Sequence, residues 1–199
     1  MQTLAVAVDF VAPERVWLVS RDSEALKIGE GYGVGSLLES SYGLNAALEN
    51  ARISLVGRLE NPELMIVPID LPFASKAALT EVTEYAGEVV IAPDKGLSGT
   101  NVLLLRPAAL RLFHFLYGRG SYEAHVGVAQ RLGLSVTTVM DDRLSFDIDD
   151  PEDFLTWRAQ CFPCLGRQGI EQKSLQHRRF LVRNEPSEPE KHKISCKIP

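Results

Sequence analysis

Three cysteines in 199 residues, an odd number, do not build a disulfide framework. No apolar run is long enough to span a bilayer, and no basic segment followed by an apolar run opens the chain. Positive charge is not in excess: the formal net charge is −5 and the pI about 5.4. A protein whose main work is gripping nucleic acid usually carries a basic balance, so that class starts at a disadvantage, and the lack of a spanning run argues against a membrane protein. There is no internal repeat. These absences predict a soluble, cytoplasmic chain with no nucleic-acid partner. What is present is 45% hydrophobic residues, enough for one domain with a sizeable core.

Short apolar runs alternate with stretches of helix formers. Met1–Val11 reads as helix and Arg15–Ser20 as a buried strand ending at a polar loop. Gly43–Ala51 is helical by composition and by the spacing of Leu44, Leu48 and Leu55. Glu63–Asp70 is a strand capped by an acid, and Ser75 is placed to cap a helix over Lys76–Ala86. Strands follow at Glu88–Ala92, Asn101–Leu105 and Ser135–Met140. Helices are expected after Pro107, from Tyr122 to Leu132 with Ser121 as cap, and from Pro151 to Gln160. The rhythm predicts an α/β domain over residues 1–160 with a mostly parallel sheet flanked by helices. Residues 161–199 read as a basic, disordered tail. Its Arg167–Pro199 portion holds eight Lys or Arg against four Glu.

Several clusters have the composition of a site. Asp70 ends a strand, where ligands of open α/β sheets gather. Its carboxylate there suits Mg²⁺ against phosphate oxygens, or it is a solvated loop acid. Five of the seven residues Asp147–Asp153 are acidic. Asp150, Glu152 and Asp153 suit a helix cap and first turn, whereas Asp147 and Asp149 alternate onto one face of a strand and could share a metal with Asp70. Asp94–Asn101 is a loop of small residues whose N–H groups near Gly96 and Gly99, with the Ser98 and Thr100 hydroxyls, could cradle an anion; the bland alternative is an ordinary hairpin. In Tyr117–His125, Gly118 and Gly120 permit close backbone approach, Ser121 opens a helix N-terminus, and Arg119 offers a charged contact. His125 either touches substrate or is structural. Cys161 and Cys164 lack two further ligands at zinc spacing, so a zinc-binding module is the remotest reading.

In register, Gly43-Leu-Asn-Ala-Ala-Leu48, Asp70-Leu-Pro72, Ala92-Pro-Asp-Lys95, Ser98-Gly-Thr-Asn-Val-Leu-Leu-Leu105, Tyr117-Gly-Arg-Gly-Ser121 with His125, and Phe146–Phe154 resemble the ordered signatures of the 2-phospho-L-lactate guanylyltransferase (CofC) family, over roughly Leu4–Gln160. The resemblance implies a Rossmann-like fold akin to nucleotide-diphospho-sugar transferases. It implies transfer of GMP from GTP to 2-phospho-L-lactate, phosphoenolpyruvate or 3-phosphoglycerate, with release of pyrophosphate, in coenzyme F-420 biosynthesis. It places Thr100, Gly118 and Ser121 at the acid, with Asn101, Arg119 and His125 as further candidates beside them. Gly43, Leu44 and Asn45 fall at the nucleotide, and Asp70 with Asp147 or Asp149 at Mg²⁺. Asp70, Asp149 and Lys95 are the expected catalytic set, and a homodimer the expected assembly. The family opens with a strand and a basic triphosphate-gripping loop that on this resemblance would precede Met1, so the domain is expected to be N-terminally shortened. A non-catalytic relative that keeps the acid pocket is the alternative.

Overall fold

The computed structural model describes residues 2–39, 43–56, 62–161 and 195–198. They fall in two compact units, residues 1–147 with 192–199, and residues 148–191.

The first unit opens with helix α1 (Gln2–Phe10) and a short 3-10 turn leading to strand β1 (Trp17–Ser20). Helix α2 (Ser23–Gly31) follows, capped by Asp22, whose side chain accepts from the Glu24 N–H. Strand β2 (Gly35–Leu38) then pairs parallel to β1. Next come α3 (Leu44–Val56), β3 (Glu63–Ile66) and α4 (Lys76–Glu84). The Ser75 hydroxyl caps α4 by accepting from the Ala78 N–H, as its residue type predicts. Strands β4 (Val89–Pro93) and β5 (Thr100–Leu105) form a hairpin, followed by α5 (Pro107–Leu112), α6 (Ser121–Arg131), β6 (Val136–Thr138), α7 (Asp142–Ser145) and, at the end of the chain, β7 (Ser195–Ile198).

The main sheet has the order β6-β4-β5-β3-β7. The α/β class and the flanking helices follow the sequence expectation, but the sheet is less parallel than expected. Pairings β4–β5, β3–β5 and β3–β7 are antiparallel, while β4–β6 and β1–β2 are parallel. The reason is loop length. Residues 94–99 are too few for a crossover helix, so β5 must return antiparallel beside β4.

Both faces of the sheet are covered. Met65, Val90, Ala92, Val102 and Leu104 point to one side, with Leu4, Ala7, Ala78, Leu79, Val82 and Leu144. Leu64, Ile66, Val89, Ile91, Leu103 and Leu105 point to the other, with Leu48, Ala109, Leu110, Phe113, Val128 and Ala129. Every residue of β4 and β5 is buried. That explains why these strands read as continuous rather than alternating apolar runs.

The expected disordered tail needs a correction at its end. Ser195–Ile198 form β7, paired antiparallel to β3. The edge of β3 presents unpaired N–H and C=O groups, and an extended segment satisfies them. The remainder of that tail, residues 162–194 with Pro199, lies outside the described residues, and so does Cys164.

The second unit is described by helix α8 (Pro151–Cys161). Its start is a reciprocal cap. Asp150 Oδ1 accepts from the N–H groups of Glu152 and Asp153, and Asp153 Oδ2 accepts from those of Asp149 and Asp150. Phe154 and Trp157 pack one turn apart. No helix among the described residues is long and apolar enough to cross a membrane.

Two predictions follow from this packing. Leu104 is fully buried, and Leu104→Ala should lower unfolding free energy by roughly 2–5 kcal/mol in urea titration; a loss under about 1 kcal/mol would mean that β5 does not lie in a packed core. Asp141 caps α7 and is bonded by the Arg143 guanidinium, which also pairs with Glu81. The Arg143 bond holds the Asp141 carboxyl below its ordinary value. A depressed folded value contributes stability that is complete above the unfolded carboxylate range, near pH 4, and is lost as the pH falls through the folded value. Asp141→Asn should therefore flatten the fall in melting temperature below about pH 4; an unchanged slope would place the acid sensitivity elsewhere.

Candidate active site

The hairpin turn between β4 and β5 is held by one carboxylate. Asp94 Oδ1 accepts from the Ser98 N–H at 2.8 Å and Oδ2 from the Gly99 N–H at 2.7 Å. The Asp94 N–H in turn bonds the Gly99 carbonyl at 3.1 Å. This corrects the expectation that backbone N–H groups near Gly99 cradle an external anion: the chain's own carboxylate already occupies them. Gly99 is required for a steric reason, since a Cβ there would lie 2.8 Å from Asp94 Oδ2. Lys95 is exposed on this loop, its N–H bonded to the Ser145 carbonyl at 3.0 Å.

Strand β5 begins with an irregularity that decides where Thr100 points. Ala92 pairs with Val102 but Pro93 pairs with Thr100, so Asn101 is the extra residue of a bulge. Strict alternation would send Thr100 to the Val102 and Leu104 side. The bulge re-aims it. Thr100 instead meets α6: its N–H donates to Ser121 Oγ at 2.9 Å, and its Oγ1 lies 2.9 Å from His125 Nδ1. Asn101 turns the other way, and its Nδ2 donates to the Leu144 carbonyl at 2.9 Å. Asn101 was expected at the substrate beside Thr100. Its amide instead ties β5 to α7, because the bulge separates the two side chains.

Ser121 also differs from expectation. It is not the cap of α6 but its first residue. The cap is Gly120, in the left-handed region at φ 72°. The Ser121 hydroxyl is thereby left to accept from Thr100 rather than from its own helix. Gly118 has φ 135°, a region that favours glycine, and its carbonyl accepts from the Ser121 N–H at 3.1 Å. The Tyr122 N–H reaches the Ser98 carbonyl at 3.1 Å, so the 94–100 and 117–122 segments are stitched together. Arg119 is exposed at the tip between the two glycines.

His125 is fully buried and enclosed by Phe113 and Tyr117, with ring centroids at 5.6 and 4.8 Å. Its Nε2 accepts from the Leu116 N–H at 2.9 Å. Expected either to touch substrate or to be structural, His125 bonds both Thr100 Oγ1 and the Leu116 N–H through its ring. Burial pushes the Tyr117 phenol above its ordinary value.

Of the residues expected at the nucleotide, Asn45 holds the Tyr117 backbone from both sides. Its Oδ1 accepts from the Tyr117 N–H at 2.8 Å, and its Nδ2 donates to the Tyr117 carbonyl at 2.9 Å. Asn45 thus positions the glycine loop. Gly43 has φ 88° and opens α3, its carbonyl accepting from the Ala47 N–H. Leu44 packs against the core beside α3.

Asp70 sits half-buried in the turn after β3. Thr3 Oγ1 of α1 donates to the carbonyls on either side of it, Ile69 at 2.7 Å and Leu71 at 3.2 Å. Phe73 packs on Phe146 with centroids 5.5 Å apart, which draws this turn to the stretch that ends at Asp147. Asp149 belongs to the second unit. Among the described residues no three His, Cys, Asp or Glu side chains gather as a metal site. Mg²⁺ asks for less, one or two carboxylates with substrate phosphates, and the hard oxygens of Asp70 and Asp147 suit it. The role of Asp94 was missed from sequence; its signal is an acid four and five residues before Ser98 and Gly99, the spacing of a side chain closing its own loop.

The chain is similar to known proteins over most of its length. Residues 2–160 match the family model for guanylyl transferases like CofC. A phosphoenolpyruvate guanylyltransferase of Rubrobacter xylanophilus is 39% identical over 148 residues, which is 73% of this chain and 71% of the relative. A 2-phospho-L-lactate guanylyltransferase of Methanothermobacter thermautotrophicus is 34% identical over 143 residues, 70% of this chain and 61% of the relative. Among solved structures, one from Desulfovibrio desulfuricans G20 named as a nucleotide-diphospho-sugar transferase superposes with a TM-score of 0.60 at 12% identity, covering 85% of this chain and 78% of that one. At that identity the likeness is one of fold.

The hairpin geometry gives a paired prediction. Gly99→Ala should lower the melting temperature by several degrees, because Asp94 must give way, whereas Gly96→Ala, whose Cβ would meet nothing nearer than Asp94 Oδ1 at 3.6 Å, should not. Equal melting curves for the two variants would remove Asp94 as the organiser of the loop.

Proposed function

This chain belongs to the family of guanylyl transferases like CofC, and from that membership we propose that it transfers GMP from GTP to phosphoenolpyruvate or 2-phospho-L-lactate, with 3-phosphoglycerate as the third candidate acid. The observation that supports this most directly is the knot of Thr100, Ser121, Gly118 and His125 at the start of α6. It combines two hydroxyls, a positive-φ glycine and a helix N-terminus at the end of a buried strand, a combination suited to an anionic acid.

The chemistry asks little of the protein in proton transfer. A phosphate oxygen of the acid, already ionised, attacks the α-phosphorus of GTP. A new P–O bond forms as the bond to the β-phosphate oxygen breaks, and the electron pair leaves with pyrophosphate. Catalysis is then positioning and charge neutralisation. Thr100, Ser121 and the Gly118 backbone hold the acid. Lys95 and Arg119, both exposed beside the cradle, meet phosphate charge. Asn45 keeps the 117–120 loop in place. Gly43 and Leu44 lie on the nucleotide side. Asp70 and Asp147 would hold Mg²⁺, which when bound neutralises phosphate charge; Asp149 is a further candidate ligand. On this reading the reaction serves coenzyme F-420 synthesis in the cytoplasm, and the working assembly is a homodimer. No observation favours a non-catalytic role.

The test is pyrophosphate release from GTP with Mg²⁺ and each of the three acids in turn. Turnover with at least one acid is expected, and Asp70→Asn should reduce it at least a hundred-fold, about 2.7 kcal/mol or more of lost transition-state stabilisation. Folded protein that releases no pyrophosphate with any acid sinks the proposal. Unchanged rates in Asp70→Asn remove that residue from the site.

A further inference from the structure

Three successive residues at the end of α7 are each tied to a different part of the first unit. The Leu144 carbonyl accepts from Asn101 Nδ2 at 2.9 Å, and the Ser145 carbonyl accepts from the Lys95 N–H at 3.0 Å. Phe146 packs on Phe73 with ring centroids 5.5 Å apart. A four-residue helix has no internal partner for its last carbonyls, so these ties decide where the chain goes next. Asp147 follows at once and is half-buried. The turn that carries Asp70 is pinned in a similar manner, because Thr3 Oγ1 donates to the carbonyls on both sides of it. The two carboxylates are therefore borne by backbone that is fixed from outside, and the Phe73–Phe146 contact joins the two segments.

Among the ties at the end of α7, the Asn101 amide is the polar side chain. It is buried and acts within the protein. The bulge that turns Thr100 toward α6 turns Asn101 toward α7, so the cradle and the acidic segment hang from neighbouring residues of one strand. We infer that Asn101 is a positioning residue for Asp147: by holding the end of α7, it fixes the backbone from which that carboxylate meets a divalent cation. The inference rests on the proposed reading of Asp70 and Asp147 as cation ligands, and it assigns a part in that site to a residue that touches neither cation nor substrate. A carboxylate on a loosely held segment has to be ordered when the cation arrives, and a segment held beforehand avoids that cost. Partners that orient metal ligands are worth about ten- to a hundred-fold in metal affinity.

The test uses Mn²⁺, which takes the same hard oxygen ligands as Mg²⁺, titrated into the full chain with and without GTP while electron paramagnetic resonance reports free Mn²⁺. Asn101→Leu keeps the approximate side-chain volume and removes the donor. It should raise the Mn²⁺ dissociation constant by roughly ten- to a hundred-fold. In an Asp147→Asn background it should add less than about two-fold, since its effect passes through Asp147. Leu104→Ala, on the same strand, controls for lost stability and should leave the dissociation constant within about two-fold. An Asn101→Leu variant that melts earlier but binds Mn²⁺ as the wild type does would show a merely structural asparagine, and so would an effect that adds fully to that of Asp147→Asn. Asn101→Ser, too short to reach the Leu144 carbonyl, is read in the same way if the leucine variant does not fold. Wild-type protein that binds no Mn²⁺ under either condition, or an Asp147→Asn variant that binds it normally, overturns the metal reading together with the inference. Weakened binding in Asp147→Asn with normal binding in Asn101→Leu overturns the inference alone.

Discussion

The Asp94 carboxylate closing onto the N–H groups of Ser98 and Gly99 is the interaction on which the rest of the site depends. It shapes a six-residue connection into a tight turn, and a turn that short forces β5 to run antiparallel beside β4. It also determines where the ladder slips. The bulge at Asn101 sends Thr100 to α6 and Asn101 to α7, so one loop supplies an anchor on each face of the sheet. Without the slip, Thr100 would lie on the wrong side of the sheet for Ser121 and His125. The bulge also shows why a hairpin inside a buried sheet tolerates polar residues: each of them has a partner across a layer boundary.

Those polar residues sit in a demanding environment. Thr100, Asn101, Ser121 and His125 are all buried, the first two on a strand in which every residue is inaccessible and the last two on α6. An unpaired polar group there costs on the order of 1–3 kcal/mol. The bonds of Thr100 to Ser121 and His125, and of Asn101 to the Leu144 carbonyl, offset that cost. The glycines on the far side of the loop play a complementary part. Gly118 and Gly120 take backbone angles that side chains disfavour, which lets the 117–120 segment turn sharply enough to present Ser121 as the first residue of α6. Asn45, reaching from α3, fixes that turn by bonding both backbone groups of Tyr117.

Much of the architecture was legible in the sequence because burial leaves a strong local signature. The apolar runs at Glu63–Asp70, Glu88–Ala92 and Asn101–Leu105 hold strands β3, β4 and β5, the first ending at Ile66 before the Asp70 turn, and Ser75 caps its helix. Among the elements that were not read, α2 and β2 are short and only partly buried, so their periodicity is faint. β7 is hidden for another reason. Ser-Cys-Lys-Ile has no strand pattern, and it is ordered by the unpaired edge of β3 rather than by its own composition. At the site, residue types and order were enough to gather Thr100, Gly118, Ser121 and His125 into one cluster. The assignment of roles within it was not, and neither was the loop-closing part of Asp94.

The order of the motifs along the chain and the α/β class were determined by sequence alone, because each follows from residue type and spacing, and family membership by the likeness of those ordered motifs to known proteins. Which groups face one another was decided only by tertiary structure. The loop donors near Gly99 are taken by Asp94, Asn101 is turned away from Thr100, and Ser121 accepts from β5 instead of capping its helix. Each outcome turns on a one-residue slip or a single left-handed glycine. Such local choices leave the composition unchanged but reverse the direction in which a side chain points.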